Sequence, residues 1–434
     1  MFGQKKHGGF LAPGMDFAFG FTGDDYIDRA LQNDWLICND SVVSPASSNA
    51  LEDLQLRISL EPIRDLKIDL TTNRTRNRSR EIQYMFEGMP DTRSGNFSMS
   101  IISIGSAFER PSAGDGYHSG TFERFRRNLD VIRDRVESQF LGAQYPQGST
   151  LAGKTFDPAN GTISKHSPDV MIPAFLAAYT GKSARNSALD FFPSLFSMMP
   201  NWRITYTGLT KIAWFKKNFR SVNLNHAYRS TYSVGSYNTF QSFMSYMGDI
   251  GFVEDVQSGN PIPSSRFDIS MVSINEQFSP LIGMDATLKN GLTAKVEYKT
   301  SRILNLSMSA CQLVETASRD FVIGLGYKIV NFNLFSGRNV KDSKNRVSHD
   351  LALRADISFR NQSALCRDIQ QGFAQATNGN KALKISCSAD YTLSRLLTLR
   401  LYYDRQQNTP LVSSSSYPVV SADFGFSMKF SLTR

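Results

Sequence analysis

The sequence predicts an all-β protein: an antiparallel transmembrane β-barrel with a mostly helical or irregular insertion. Three observations predict this class. Apolar and polar residues alternate in segment after segment, above all between residues 267 and 434. Roughly thirteen strand-like segments follow one another mostly without helical crossovers, which implies antiparallel pairing. Aromatic residues make up 12% of the chain, with 31 Phe and 16 Tyr, and membrane barrels place such rings in girdles at both interfaces.

The alternation is clearest near the carboxy terminus. Ala422, Phe424, Phe426, Met428, Phe430 and Leu432 hold the even positions, while Asp423, Gly425, Ser427, Lys429 and Ser431 hold the odd ones. Successive strand side chains point to opposite sides, so the segment divides an apolar from a polar environment. The pattern returns in Leu397, Leu399, Leu401 and Tyr403, in Leu383 to Leu393, and in Leu351 to Phe359. The predicted lipid-facing residues are therefore Leu54, Leu56, Ile58, Leu399, Leu401, Phe424, Phe426, Met428 and Phe430. The predicted lumen-facing residues are Arg57, Ser59, Asp423, Ser427 and Lys429.

Composition narrows the class. A chain of 434 residues, 41% hydrophobic and 20% charged, is not a disordered one. The longest nearly apolar run, Val170 to Tyr179, is about half the roughly 20 residues a spanning helix needs. Cys38, Cys311, Cys366 and Cys387 show no CxxC spacing and no neighbouring His at zinc-like distance, so buried or lipid-facing thiols are expected and no metal. A net charge of +9 is mild. Arg74, Arg76, Arg78 and Arg80 read as a solvated loop, because no aromatic stacking platform accompanies them and nucleic acid is not an expected partner. GxSxG, HExxH and P-loop motifs are absent, and His7, His118, His166, His226 and His349 are scattered. No enzyme, catalytic residue or cofactor is expected.

Taken in order, residues 1–109 read as barrel strands with loops, 110–200 as the insertion, and 201–434 as barrel strands to the carboxy terminus. Met1 to Gly9 lacks the apolar stretch of an export signal, so the expectation is a mature chain or a piece of a longer product. Phe17, Phe19 and Phe21 alternate before an exposed turn at Gly23, Asp24 and Asp25. Leu54 to Leu60 and Leu66 to Leu70 form a hairpin that turns through Glu61 to Asp65, with Pro62 at the reversal. Beyond Leu70 the strand turns polar, as one running out of a bilayer would, and Tyr84 and Phe86 follow. A parity shift at Ile102 and Ile104 predicts a bulge.

Phe122, Phe125, Leu129, Ile132, Val136 and Phe140 fall at helical spacing with mixed charges between them, so this helix packs on protein. Ser167 and Pro168 can cap a second helix over Val170 to Tyr179. Strands resume at Trp202 to Tyr206 and Val222 to Tyr232, joined by a basic aromatic link, Trp214 to Arg220. Then come a mixed loop over 233–265, a long strand over 267–288 with Pro280 as a bulge or edge, and a turn at Lys289, Asn290 and Gly291. One strand is expected over 292–310.

Short turns at 61–65, 289–291 and 394–396 contrast with long links at 233–266, 361–380 and 404–418, the asymmetry of outer-membrane barrels. Five strands counted between Asp65 and Lys289 put those two turns on opposite sides. The insertion is then an extra crossing, a lumen segment or a cap.

Several longer stretches carry a family likeness. They are Leu60-Glu-Pro-Ile-Arg-Asp-Leu66, Asp169-Val-Met-Ile-Pro-Ala-Phe-Leu-Ala-Ala-Tyr-Thr-Gly181, Pro200-Asn-Trp-Arg-Ile-Thr-Tyr206, Asn225-His-Ala-Tyr-Arg-Ser-Thr-Tyr232, Phe278-Ser-Pro-Leu-Ile-Gly283 and Phe424-Gly-Phe-Ser-Met-Lys-Phe-Ser-Leu432. Together they resemble the carboxy-terminal portion of the SprA/Sov family, the outer-membrane translocon of the bacterial type IX secretion system, also tied to gliding motility. The resemblance implies a very wide barrel through which folded proteins pass from periplasm to cell surface. It also implies a PorV-like barrel protein and a plug protein as partners, secreted proteins as cargo, and the remainder of a longer barrel. A self-contained porin of about fourteen strands is the alternative that strand geometry allows.

Overall fold

The computed structural model describes residues 6–7, 10–11, 26–33, 45–83, 91–109, 111–160, 162–332, 350–393, 397–412 and 417–430. The expected strand over Phe17–Phe21, the turn at 23–25, Tyr84 and Phe86, Cys38, His349, the turn at 394–396 and Leu432 lie outside these residues.

Most of the chain is antiparallel sheet. A two-residue pair, β1 (Lys6–His7) and β2 (Phe10–Leu11), and a short helix, α1 (Tyr26–Gln32), precede it. The main sheet contains β3 (Ala46–Ile63), β4 (Leu66–Ile82), β5 (Thr92–Ser100), β6 (Asn201–Tyr206) and β7 (Phe219–Thr239). Between β5 and β6 lie α2 (Gly120–Ser138) and α3 (Pro168–Tyr179), and between β6 and β7 lies α4 (Ala213–Asn218). A separate three-stranded sheet is formed by β8 (Met244–Met247), β9 (Ile250–Glu254) and β10 (Pro261–Ser265). The main sheet continues with β11 (Phe267–Asp268), β12 (Met271–Leu288), β13 (Leu292–Ser307), β14 (Gln312–Ile329), β15 (Leu351–Asp368), β16 (Ala374–Thr392), β17 (Leu397–Pro410) and β18 (Val419–Phe430).

Eleven of its thirteen strands follow the order β18-β17-β16-β15-β14-β13-β12-β7-β5-β4-β3, with β6 pairing with both β4 and β7 and β11 pairing with β7. The strands beside β5 are thus also those beside β6. β5 pairs with Arg74–Glu81 of β4, and β6 with Leu66–Thr71 of the same strand. On β7 the two take successive stretches as well, Thr231–Asn238 and Leu224–Tyr228. β5 and β6 therefore lie end to end as one composite strand, and residues 101–200 are an excursion from its middle. Asn201 closes the gap: its amide donates to Ser100 Oγ at 3.1 Å, and its Oδ1 accepts the Ser230 N–H at 2.7 Å.

This corrects the strand count. The strands between the Asp65 and Lys289 turns occupy four positions, β4, β5 with β6, β7 and β12, so both turns lie at one end of the wall, here called the first end.

The excursion packs on one face of the sheet. Phe122, Phe125, Leu129, Ile132 and Val136 of α2 and nearly all of α3 are buried, and they form one core with Phe97, Met99, Tyr232, Val234, Val272, Ile274, Leu304, Leu306 and Leu313 of the wall. Ser167 precedes α3 as its N-cap, yet its hydroxyl makes no capping bond; Pro168 at the first turn and the apolar environment hold the helix.

Several expected boundaries shift. β3 runs through Pro62 to Ile63, and the reversal is Arg64–Asp65, with Asp65 at φ 69°. The parity change near Ile102 is the end of β5 and a 3-10 turn at Ile104–Ser106, since the chain leaves the sheet there. Residues 361–380 are mostly β15 and β16, turning at 369–373, and β17 takes up the 404–418 link as far as Pro410. A four-residue turn at 308–311 ends β13 early, so it and the turn at 369–373 are short turns at the end where long links are expected. The strand at 267–288 is two, and its register shifts around Pro280 as foreseen. The basic aromatic link contains α4.

The arginine run is not a loop. Arg74, Arg76, Arg78 and Arg80 sit within β4, on the face that carries the excursion. Arg74 and Arg78 pair with Glu52, Arg80 with Asp28 and Asp91, and Arg76 lies over the Phe192 ring at 4.9 Å.

Candidate functional site

The functional feature of this chain is the wall itself, and it is built by register. Cross-strand partners share a face, so side chains can be followed across the sheet. Leu292, Tyr327, Leu353, Ala389, Leu401 and Phe426 are successive partners, as are Ile282, Tyr298, Phe321, Phe359 and Leu383. Toward the other edge, Trp202, Leu70 and Ile58 continue the same face. Leu54, Leu56, Ile58, Leu399, Leu401, Phe424, Phe426, Met428 and Phe430 all fall on it. Arg57, Ser59, Asp423, Ser427 and Lys429 fall on the other.

The polar face is continuous. Ser59 donates to Asp69 at 2.5 Å, Asn225 to Asp285 at 3.1 Å, and Lys295 and Lys299 flank Glu297 at 3.0 and 2.9 Å. Arg360 pairs with Asp320 and Arg400 with Asp390. Charges of both signs are interspersed along this face, and Asp404 and Asp423 are direct cross-strand partners.

The apolar face is divided by height. In these strands the apolar row lies nearest the first end and spans seven to nine residues: Leu292 to Tyr298, Phe321 to Tyr327, Leu351 to Phe359, Leu383 to Tyr391. Beyond it the same face turns polar, as in Asn361, Ser363, Lys381 and Arg405, or is covered by the excursion. A run of seven to nine residues is about 23–30 Å long at ~3.3 Å per residue, or roughly 18–23 Å when tilted by 40°. The longer rows approach the apolar band of about 25 Å around membrane barrels.

Aromatic clusters mark both limits of the band. At the upper limit Trp202 stacks on Tyr228 at 4.5 Å, Tyr228 meets Phe278 at 4.8 Å, and Phe278 meets Phe108 at 5.4 Å. At the first end Trp214, Phe215 and Phe219 form a second cluster, beside Lys216 and Lys217. The sequence marked the second as a basic aromatic link and hinted at the first only through its aromatic content.

The band is open. Phe424 is 72% exposed and Met428 66%, with Leu56, Ile282, Leu325 and Phe359 also exposed. With side chains of about 150–250 Å² each roughly half exposed, the band presents on the order of 1,000 Å², beyond what water-soluble monomers show. At about 25 cal/mol per Å² this is about 25 kcal/mol, more than the net stability of an ordinary domain.

A buried polar cluster sits where the chain leaves the wall. Glu276 accepts from Tyr228 at 2.8 Å and Ser103 at 2.7 Å and pairs with Arg302 at 2.7 Å; Arg302 also donates to the Ser106 carbonyl at 2.6 Å. Nearby, Arg367 binds Glu315 at 3.0 Å and the Tyr117 carbonyl at 2.6 Å. These bonds seat the start of the excursion and are structural. Sequence periodicity gave no sign of them, because the partners are up to 250 positions apart.

Among the described residues no group of three or more potential ligands could hold a metal ion, and no helix is long and apolar enough to cross a membrane. His226 is a strand residue whose Nδ1 lies 2.6 Å from the Leu281 carbonyl. Cys387 is exposed on the apolar face, while Cys311 and Cys366 are half-buried. A scan against protein-family models and a search of curated proteins give no match to this chain.

Proposed function

We propose that this chain is a wall segment of an outer-membrane channel that conducts folded proteins, of the type IX secretion kind its motifs resemble, and that it is not an enzyme. The observation that carries the reading is the two-faced open sheet. One face bears an apolar band edged by aromatic rings, and the other is mostly polar. β3 and β18 form its edges, and no pairing joins them among the described residues. Eleven wall positions with two free edges suit an arc of a wider barrel better than a closed porin, whose strand number is even. In this reading Leu54, Leu56, Ile58, Leu399, Leu401, Phe424, Phe426, Met428 and Phe430 meet lipid. Arg57, Ser59, Asp423, Ser427 and Lys429 meet the aqueous passage. A PorV-like protein and a plug would gate the passage.

Removing the chain from the cell that makes it tests the proposal. The expected result is retention of folded export substrates in the periplasm with unchanged entry of small solutes. Normal export with reduced solute entry would favour the porin.

A further inference from the structure

The upper limit of the apolar band holds a cleft roofed by the excursion. Ala107, Pro111, Ser112 and Tyr117 form the roof, and strands β13 to β16 form the floor. One row of cross-strand partners in that floor reads Thr300, Arg319, Asn361 and Lys381. The next row toward the first end reads Tyr298, Phe321, Phe359 and Leu383. Polar and cationic side chains thus lie one step above apolar ones.

The carboxylates of the cleft are already engaged. Glu315 is held by Arg367, and Glu109 accepts from Ser119 and from the Thr121 N–H at 2.9 Å and hydroxyl at 2.6 Å. Arg302 is bound to Glu276. Arg319 donates only to the Glu109 carbonyl, at 3.3 Å, and neither Arg319 nor Lys381 has a carboxylate within ion-pair distance among the described residues. Two cations therefore face the cleft without an ion-pair partner among the described residues, at the height where lipid phosphates begin.

We propose that this cleft binds the phosphate of an anionic membrane lipid, through Arg319 and Lys381, while the lipid's acyl chains lie along Phe321, Phe359 and Leu383. The site rests on the lipid-facing reading of the band. Arg319 supplies a planar fork for phosphate oxygens and Lys381 a point charge. Thr300, Asn361 and Ser112 supply neutral hydrogen-bonding groups. A free phosphate would satisfy the cations but leave the apolar row beneath them bare.

The test uses the full chain in an uncharged detergent with equal amounts of phosphatidylglycerol and phosphatidylcholine, counting retained lipids by native mass spectrometry. The expected result is selective retention of phosphatidylglycerol, weakened about thirtyfold in the Arg319→Gln/Lys381→Gln variant, at about fivefold per cation. Arg319→Lys/Lys381→Arg should retain the lipid, as should Lys384→Gln on the polar face. Equal retention by the double Gln variant overturns the site, and displacement by inorganic phosphate alone makes it a free-anion site instead. Insertion of the unaltered chain into phosphatidylcholine vesicles separates the two readings: failure there sinks the membrane wall, whereas insertion without lipid selectivity sinks only this cleft.

Discussion

Asn201 donates its side-chain amide to the Ser100 hydroxyl at 3.1 Å across 101 positions of sequence. The same hydroxyl accepts the Asn73 N–H at 3.0 Å, so β4, β5 and β6 meet at one point. This small junction lets a wall strand stop, release a hundred-residue excursion and resume in the same lane.

Asn201→Ala should destabilise the wall by about 1–3 kcal/mol, because the Ser230 N–H loses its acceptor in a buried place. Asn201→Asp keeps that acceptor but buries a carboxylate, so its stability should recover only as pH falls and the carboxyl protonates. Urea unfolding in detergent measures both.

Gly95 is required by close approach. A Cβ there would lie 2.0 Å from the Asn77 carbonyl oxygen and 2.6 Å from the Tyr237 hydroxyl. Gly95→Ala should push β5 away from β4 and lower the urea midpoint of unfolding in detergent, whereas Gly105→Ala, with open space around it, should leave the midpoint unchanged.

Glu276 and Arg302 are 2% and 8% exposed at the side chain. Glu276→Ala strands the guanidinium and should cost about 3–5 kcal/mol. Replacing both with Leu should cost less than the sum of the single changes, and a double-mutant cycle on unfolding free energy reads the coupling.

Acid should act on the excursion with two signs. Burial holds the Asp169 carboxyl above the ordinary range despite bonds from Ser265 and Ser264. The folded state therefore takes up this proton first, and stability rises as pH falls toward the carboxylate range. Burial also pushes Glu109 upward, but bonds from Ser119 and Thr121 outweigh it and leave its pKa below the ordinary range. Its contribution is present at neutral pH and is lost below about pH 4, as the folded-state carboxylate protonates. The thermal midpoint should pass through a maximum in mild acid, and Asp169→Asn should remove the rising limb.

Much of the wall was legible because period-2 patterning is a local signal. Phe424 to Phe430 and Leu383 to Tyr391 identify strand and face without any knowledge of partners. The helix over Phe122 to Val136 was legible for the same reason, at period 3.6. The arginine ladder of β4 misled, since Asn73, Thr75 and Asn77 on the opposite face are also polar and no alternation shows. The composite strand could not be read at all. Its two halves are six and nine residues long, and only pairing with β4 and β7 reveals that they share one position. The long links shrank because strands that rise above the apolar band lose their hydrophobic rows while keeping their hydrogen bonds.

The central claim is that one face of this wall meets lipid and the other meets water. Spin labels placed singly at Leu401 and Arg400, neighbours on β17 with opposite faces, test it most directly in phosphatidylcholine vesicles. The label at 401 should relax with oxygen, which concentrates in the bilayer, and the label at 400 with a water-soluble nickel chelate. Equal access of the nickel chelate to both positions would contradict the account.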